Sequence, residues 1–400
     1  MQSRRNFLGN VATGLAGTLA ASNVLGANDR IRIGIIGPGA RGTEILQTAL
    51  TCEGVECIGA ADVYTRRLED VKRVAPNAKT YMDHRRMLED KDIDAVLIAT
   101  PQHLHCQHFV DALSAGKHVY QEKTMAFNVD HAKRMRAAYR ATNGKLTVQV
   151  GHQSCSSGQM TDAAKFVASG NLGKVTAVHM HMYRNTPHGK PQWSRPLYPD
   201  MTSENILWDS FQGDAAKHPF DPNRYINWRF FWDYSGGNVY ENMCHQVSFW
   251  YKALDLAIPK TVTMNGGIYL WKDGREVPDT MNVTMEQPEE MLISWDSGFG
   301  NNALGVSEDV LGTDGTISKG HQIRYAPQKV NRPDGTEMVG NTTASPIAHM
   351  ENFFDCIRSG KPTNCPFELG YRVSIACRMA VDSYRKGRTM QWDSVKEEIS

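Results

Sequence analysis

Three groups of residues in this chain have types and spacings that suit chemistry. The first is Gly236-Gly237-Asn238-Val239-Tyr240-Glu241-Asn242-Met243-Cys244-His245. On a helix capped by Asn238, Glu241 and His245 stand one turn apart on one face. Val239, Met243, Val247 and Tyr251 fall on roughly the opposite face and can anchor it. A carboxylate one turn from an imidazole orients the ring and raises its basicity, as a general base requires. By itself the pair reads better as a solvated surface contact, and the double glycine before it is the first sign against that.

The second is Lys123, just past the strand-like run His118–Gln121. Its ammonium suits a substrate oxygen that loses a proton as a hydride leaves. Without context, a solvated lysine in a loop is the commoner case. The third is Gly37-Pro38-Gly39-Ala40-Arg41-Gly42, between the β-branched run Ile31–Ile36 and a helical pattern from Thr43 to Leu50. Strand, G-x-G-x-x-G, helix is the dinucleotide fingerprint in its proper setting. Gly37 allows the tight turn, Gly39 lets backbone approach a pyrophosphate, and Gly42 lets the helix pack on the strand. The free N–H groups of the helix start favour phosphate. The run Val55–Ala61 ends in Asp62, twenty residues past Gly42, a carboxylate suited to the ribose hydroxyls of NAD. Arg66 and Arg67 would admit NADP only by turning inward.

These groups need a scaffold. Residues 30–150 alternate strand and helix, with further runs at Ile93–Ala99, Leu104–Ala115, Asp130–Thr142 and Leu146–Val150. That alternation means a parallel sheet covered on both faces. Ligands bind such sheets at the carboxyl ends of strands, where Asp62, Thr100, Pro101, Glu122, Lys123 and Gln153 fall. After Gly151 the pattern changes. Val175–Arg184 alternates apolar and polar residues, and residues 185–224 read as long loops. Val262–Gly267, Asn282–Glu286, Met291–Trp295 and Asn302–Val306 are further strands, and 347–386 returns to helices. The expected fold is α/β: an amino-terminal parallel-sheet domain, 29–150, and a carboxy-terminal α/β domain, 151–400, with a large, mostly antiparallel open sheet.

Tyr225–Tyr234 reads YINWRFFWDY. Aromatic faces suit the C–H surface of a sugar, which would put Trp228 and Arg229 against substrate. A core strand beside the double glycine fits equally well. Arg184 and Tyr240 complete the substrate-side set. His103, His105 and His108 crowd one helix start, but no acidic partner is near in sequence. No metal is expected, and His105 is read as a packing or backbone-bonding residue beside the cofactor, with His103 and His108 exposed.

Lys+Arg total 44 against 43 Asp+Glu, so no strong field draws nucleic acid or an anionic membrane. Four hundred residues favour two domains. Ser3-Arg4-Arg5-Asn6-Phe7-Leu8, a mildly apolar stretch Val11–Ala21 and Gly26-Ala27 together read as a twin-arginine export signal over residues 1–28. That stretch is too short and glycine-rich to span a membrane. The eight cysteines show no metal-binding spacing. Most read as core residues, and a Cys356–Cys365 disulfide is left open.

In order along the chain, several signatures resemble the glucose–fructose oxidoreductase / inositol dehydrogenase / rhizopine catabolism (Gfo/Idh/MocA) oxidoreductases. They are Gly37–Gly42; Thr100-Pro101 with His105, Ala112, Gly116–Val119 and Glu122-Lys123; Gly170–Lys174; Gly236-Gly237 through His245; Gly312–Thr316; and the tail from His349 to Trp392. The resemblance implies a Rossmann domain, an open-sheet second domain through which copies often associate, and a lysine/histidine acid–base pair carried onto Lys123 and His245. The acid of the motif maps to Glu241. Two positions depart from the pattern: Thr124 stands where proline is usual, and Glu241 where aspartate is.

Together these readings lead to an NAD- or NADP-dependent oxidation of a secondary hydroxyl on a sugar, cyclitol or glycoside, in an exported homo-oligomer. Free NAD is scarce outside the cytosol, which favours a tightly held cofactor recycled within the site. One way to close the cycle is reduction of a second carbonyl compound. Another is oxidation, elimination and re-reduction of a glycoside, with net cleavage. A non-catalytic sugar-binding protein on the same fold is the alternative from another class.

Overall fold

The apolar runs near the amino end form a six-stranded parallel sheet. Its strands are β1 (Ile31–Ile36), β2 (Val55–Ala61), β3 (Lys79–Tyr81), β4 (Ala95–Ile98), β5 (His118–Gln121) and β6 (Val148–Val150). Their order is β3-β2-β1-β4-β5-β6. Every residue of β4 and five of six in β1 are buried, as a sheet covered on both faces requires. The strand order reverses between β1 and β4, and a crevice opens at such a switch point. The glycine turn after β1 and Thr100-Pro101 after β4 flank it. This computed structural model describes residues 30–340, 342, 345 and 347–400. The expected signal, residues 1–28, lies outside the described residues.

The second sheet has ten strands: β7 (Val175–Tyr183), β8 (Thr261–Gly267), β9 (Thr280–Gln287), β10 (Met291–Gly298), β11 (Val306–Gly312), β12 (Gly315–Lys319), β13 (Ile323–Pro327), β14 (Met338–Val339), β15 (Met390–Asp393) and β16 (Glu398–Ile399). The order is β14-β13-β12-β11-β7-β10-β9-β8-β15-β16. β7 and β10 pair in parallel, and the other pairs with a described register are antiparallel. Met281, Val283 and Met285 on alternate positions of β9 face the core. There they join the apolar cluster that holds the helices Cys244–Ala253 and Phe367–Lys386. The helix Ala348–Ser359 sends Met350, Phe353 and Phe354 under β1 and β4 instead. The strand expected at Asn302–Val306 begins only at Val306. Residues 302–305 are a turn closed by Gly305 at φ +61°, its N–H on the Asn302 carbonyl at 2.9 Å.

Between β7 and the double glycine, residues 184–235 form an excursion that packs on the loop after β2 and also on Phe299, Arg275 and Glu276 of the second half. The aromatic run in it is not a strand. Asp221 caps a helical turn, Pro222–Ile226, through bonds from the N–H groups of Asn223 and Arg224, and a second turn, Trp228–Phe230, follows. The aromatics gather in a cluster of their own: Phe211, Tyr225, Phe230, Phe231 and Tyr234 with Tyr64, which comes from the loop after β2. Backbone bonds fasten the excursion there. Leu207 N–H donates to the Val63 carbonyl (2.9 Å), and Thr65 N–H to that of Asn205 (3.1 Å). Arg66 adds a two-pronged ion pair to Asp200 at 2.6 Å.

All eight cysteines are buried thiols. Cys356 Sγ lies on the Pro362 carbonyl at 3.3 Å, while Cys365 meets Cys155. No helix among the described residues is long and apolar enough to cross a membrane.

Candidate active site

The glycine turn is built as its spacing requires. Gly37 has φ +82°, and a Cβ there would strike Thr100. A Cβ on Gly42 would lie 2.2 Å from the Gly37 carbonyl oxygen, so that glycine lets helix Ala40–Ala49 close on the strand. A Cβ on Gly39 would meet nothing within 4 Å. It would project into open space at the helix start, which is the cradle a pyrophosphate needs.

That space is one end of a cavity of about 490 Å³. Gly37, Gly39, Ala40, Arg41, Asp62, Thr100 and Pro101 line it toward the first sheet. Tyr225, Trp228 and Arg229 from the excursion line the far wall. Asp62 Oδ1 accepts from Tyr64 N–H at 2.9 Å and from Tyr225 OH at 3.4 Å. Burial raises the Asp62 carboxyl to about 6, against the lowering pull of the Tyr64 N–H and the Arg67 charge. Arg66 is turned away to Asp200, whereas Arg67 and Arg195 line the cavity.

From the cavity wall, Arg41 begins a chain of contacts that leads to Lys123. Its guanidinium pairs with Glu44 and with Glu122 Oε1, each at 2.9 Å, and reaches the Gln153 amide oxygen. Glu122 Oε2 accepts from the Lys123 N–H at 3.2 Å. Lys123 Nζ then crosses to the second half of the chain. It donates to Glu241 Oε2 at 2.9 Å and to the Glu241 carbonyl at 3.2 Å. The other oxygen, Glu241 Oε1, accepts from Gln102 Nε2 at 2.8 Å and pairs with Arg229 Nε at 3.2 Å. Burial works against the Glu241 charge, but Arg229 and Lys123 outweigh it and hold the carboxyl at about 2. Burial likewise pulls Lys123 down, and Glu241 reverses that, so the lysine is an ammonium.

Glu241 therefore does not orient His245. Residues Val239–Met243 form a π-helical turn, and the α-helix begins only at Cys244. The wider turn breaks the i, i+4 stacking on which the expectation rested, and Glu241 swings to Lys123. Asn238 is not a side-chain cap either. It donates to Ser297 Oγ at 2.8 Å and accepts from Asn242. The half-buried His245 ring makes no hydrogen bond among the described residues and meets the His152 ring edge-on. Burial, then the charge of Lys123, push its pKa well below the ordinary histidine value. The ring is therefore a neutral imidazole.

The remaining expected residues fall in several places. Trp228 and Arg229 line the cavity, with the Arg229 guanidinium 4.2 Å over the Trp228 ring. Arg184 lies at the end of β7 and donates to Asn242 Oδ1 at 3.0 Å. Tyr240 is fully buried and donates to the Phe127 carbonyl at 2.7 Å, so it touches no substrate. A Cβ on Gly236 would fall inside its ring, which explains the first glycine of the pair. His105 is buried behind the cavity wall, its nitrogens 2.9 Å from the Thr100 and Thr124 carbonyls. His103 and His108 are buried too, contrary to expectation. His103 Nε2 binds the Phe211 carbonyl at 2.7 Å, and His108 Nδ1 binds Thr100 Oγ1 at 3.1 Å. Thr124, in place of the usual proline, follows a cis peptide and donates to the Tyr240 carbonyl at 3.0 Å.

Sequence reasoning missed Gln102, which joins the Pro101 turn to both Gly236 N–H (3.0 Å) and Glu241. It also missed Tyr225 on Asp62 and His152 beside His245. Position was the available signal for Gln102 and His152, which lie four and two residues past the ends of β4 and β6.

Residues 31–152 match the model of an oxidoreductase family with an NAD-binding Rossmann fold. Residues 210–392 match the same family's C-terminal alpha/beta domain. A 1-carboxy-3-chloro-3,4-dihydroxycyclohexa-1,5-diene dehydrogenase of Comamonas testosteroni is 32% identical over 49% of this chain and 47% of its own length. The match thus spans about half of that relative. The scyllo-inositol 2-dehydrogenase (NADP(+)) IolW of Bacillus subtilis is 26% identical over 90% of this chain and 96% of its own. Among solved structures, a levoglucosan dehydrogenase in complex with NADH and levoglucosan shares the fold. It has a TM-score of 0.69 at 17% identity, over 90% of this chain and 99% of that one.

Proposed function

Since this chain belongs to the Gfo/Idh/MocA oxidoreductase family, we propose that it oxidises a secondary hydroxyl of a sugar, cyclitol or glycoside with NAD or NADP. The observation that carries this is Lys123. A charged lysine from the first half is fixed by Glu241 from the second, its charge acts on a neutral histidine, and Glu241 also pairs with Arg229 on the cavity wall.

The residues fit the cofactor. The open cradle at Gly39 and the helix start would hold the pyrophosphate, and Asp62 the adenosine ribose, with Thr100, Pro101 and Arg41 on the wall. When bound, the nicotinamide supplies the hydride acceptor. His245 takes the hydroxyl proton. Lys123 donates to the same oxygen and stabilises its developing charge. Glu241 keeps Lys123 charged and aimed. Trp228 offers an aromatic face to the C–H surface of the sugar, and Arg229 its hydroxyl partners.

The excursion 184–235 supports a retained cofactor. It covers the adenosine end through Tyr225 and is fastened by the Arg66–Asp200 pair. Retention suits a cycle closed within the site, either between two carbonyl compounds or through cleavage of a glycoside. The pattern of residues 1–28 supports twin-arginine export of the folded protein. Exposed Leu292, Leu304 and Val306 on and beside β10 and β11 support self-association through the open sheet.

The deciding experiment incubates the purified protein with myo-inositol, glucose, levoglucosan and a nitrophenyl glucoside, with and without added NAD. Reduced-nicotinamide absorbance, products and released nucleotide are followed. Oxidation of a polyol or sugar is expected. Release of sugar from the glucoside without reduced nicotinamide building up would select the cleavage cycle. No turnover of any compound by nucleotide-loaded protein would favour the binding-protein alternative.

A further inference from the structure

His152 lies on the turn between β6 and the short helical turn Gln153–Ser156. Its side chain is fully buried, and neither ring nitrogen has a hydrogen-bond partner among the described residues. Leaving a buried polar group unpaired costs about 1–3 kcal/mol. A native core keeps such a group for a reason. Its neighbour supplies one. The rings of His152 and His245 meet edge-on, with centroids 5.9 Å apart and planes at 87°.

The two backbones are tied together. Ser154 Oγ donates to the His245 carbonyl at 3.4 Å, and Cys155 Sγ to that of Ser248 at 3.8 Å. Lys252 Nζ closes the same joint on the Cys155 carbonyl at 2.7 Å. His152 therefore keeps its station while His245 works.

His245 needs such a neighbour. Its expected carboxylate is committed to Lys123 and Arg229, and the charges that face it are Lys123, Arg41 and Arg184. All three oppose an imidazolium. Facing His152 are Lys123 and His349, with the Cys365 thiol against its backbone. His349 is already occupied by Ser156 Oγ and the Val150 carbonyl. No carboxylate in this set stands ready to accept a proton.

We propose that His152 is the positioning partner of His245 and shares its proton during turnover. This rests on reading His245 as the base. The substrate O–H bond breaks and an N–H bond forms on one His245 nitrogen. The N–H on the other nitrogen is donated to a free nitrogen of His152, directly or through one water. The product is a proton held between two imidazoles, a charge-assisted bond that offsets the surrounding cations. No electrons pass between the rings, and the return step reverses the route.

The test uses the whole protein with 15N-labelled histidine, as wild type, His152→Phe and His152→Asn, with His245→Gln to assign the His245 ring. Nitrogen–nitrogen coupling between the two rings, or a shift of the His245 ring resonances in His152→Phe, is expected. Turnover is read in parallel on whichever of myo-inositol, glucose and levoglucosan the wild type oxidises. In His152→Phe kcat falls about tenfold or more, as loss of assisted proton transfer predicts. KM and bound nucleotide stay unchanged, and the acidic limb of the pH profile moves down. His152→Asn restores part of kcat. If His152→Phe does not fold, His152→Asn against wild type carries both readouts. Unmoved His245 resonances, an unmoved pH profile, or a loss that only follows the amount of folded protein overturns the proposal. Full activity in His245→Gln would instead sink the reading of His245, while the resonance result still decides whether the rings are paired.

Discussion

Lys123 Nζ and Glu241 Oε2 stand 2.9 Å apart, although they lie 118 positions apart in the chain. Their side chains are only 12% and 9% exposed. A pair so far from water holds its geometry, but neither member can be left alone. Glu241 has a depressed pKa, so its contribution to stability is present above the ordinary glutamate range and is lost as pH falls through about 2. Lys123 has a raised pKa. Its contribution is complete below the ordinary lysine value and is lost only as pH rises through the folded one.

Glu241→Gln should uncouple this arrangement. Lys123 and Arg229 would remain buried without their shared anion, at a cost of about 3–5 kcal/mol for breaking such a pair. Removing Glu241 also removes what raises the Lys123 pKa. The alkaline limb of the activity profile should therefore move to lower pH. Thermal denaturation and a pH–rate series check both. An unmoved alkaline limb in a folded variant would count against Lys123 as the group seen there.

Asp62 should make nucleotide binding depend on pH. With its carboxyl raised to about 6, the protonated form dominates below that value and cannot accept from both ribose hydroxyls. Affinity for NAD should rise as pH rises from acid toward neutral, by up to about tenfold per unit below the pKa. Calorimetric titration across that range measures it. Asp62→Asn should bind more weakly and lose the slope.

Two glycines of one turn should fail differently. Gly39→Ala places its methyl in open space, so the protein should fold normally and bind NAD less well. Gly42→Ala forces a carbon 2.2 Å from the Gly37 carbonyl oxygen. Overpacking of that kind costs about 1–3 kcal/mol. Melting temperature should separate them, with Gly42→Ala low and Gly39→Ala near wild type.

The fastening of the excursion should govern nucleotide retention more than folding. Arg66 and Asp200 are each about one-third exposed. Removing a pair so screened by solvent should leave the melting temperature nearly unchanged. If the excursion holds the cofactor in, Arg66→Ala should still shed nucleotide faster on gel filtration. Equal retention in variant and wild type would show that the pair does not control release.

The cofactor half was legible because its signals are local. Strand periodicity, three glycines at fixed offsets and an acid at the next strand end all lie within Ile31–Asp62, and the chain folds as they say. Lys123 could be placed because it follows β5 directly. The partner of Glu241 could not. Spacing of four predicts a contact only on an α-helix, and nothing in VYENM announces the π-turn. Tyr240 looked available because the missing Cβ of Gly236, which makes room for its ring, is invisible as a contact in sequence. His103 looked exposed because Phe211, which covers it, comes from an excursion about a hundred residues away, and His108 because the His84 ring that packs on it belongs to another helix of the first half. Local pattern located the first sheet, and long-range packing decided which polar side chains remained free.

The excursion is one uninterrupted stretch, leaving β7 at its end and returning before Gly236. It carries Tyr225, which bonds Asp62, and Trp228 and Arg229, which line the same cavity and are proposed to meet substrate. A single graft of this stretch from a relative would therefore exchange coenzyme choice and sugar choice together. Divergence within this branch of the lineage should show the two preferences changing in step.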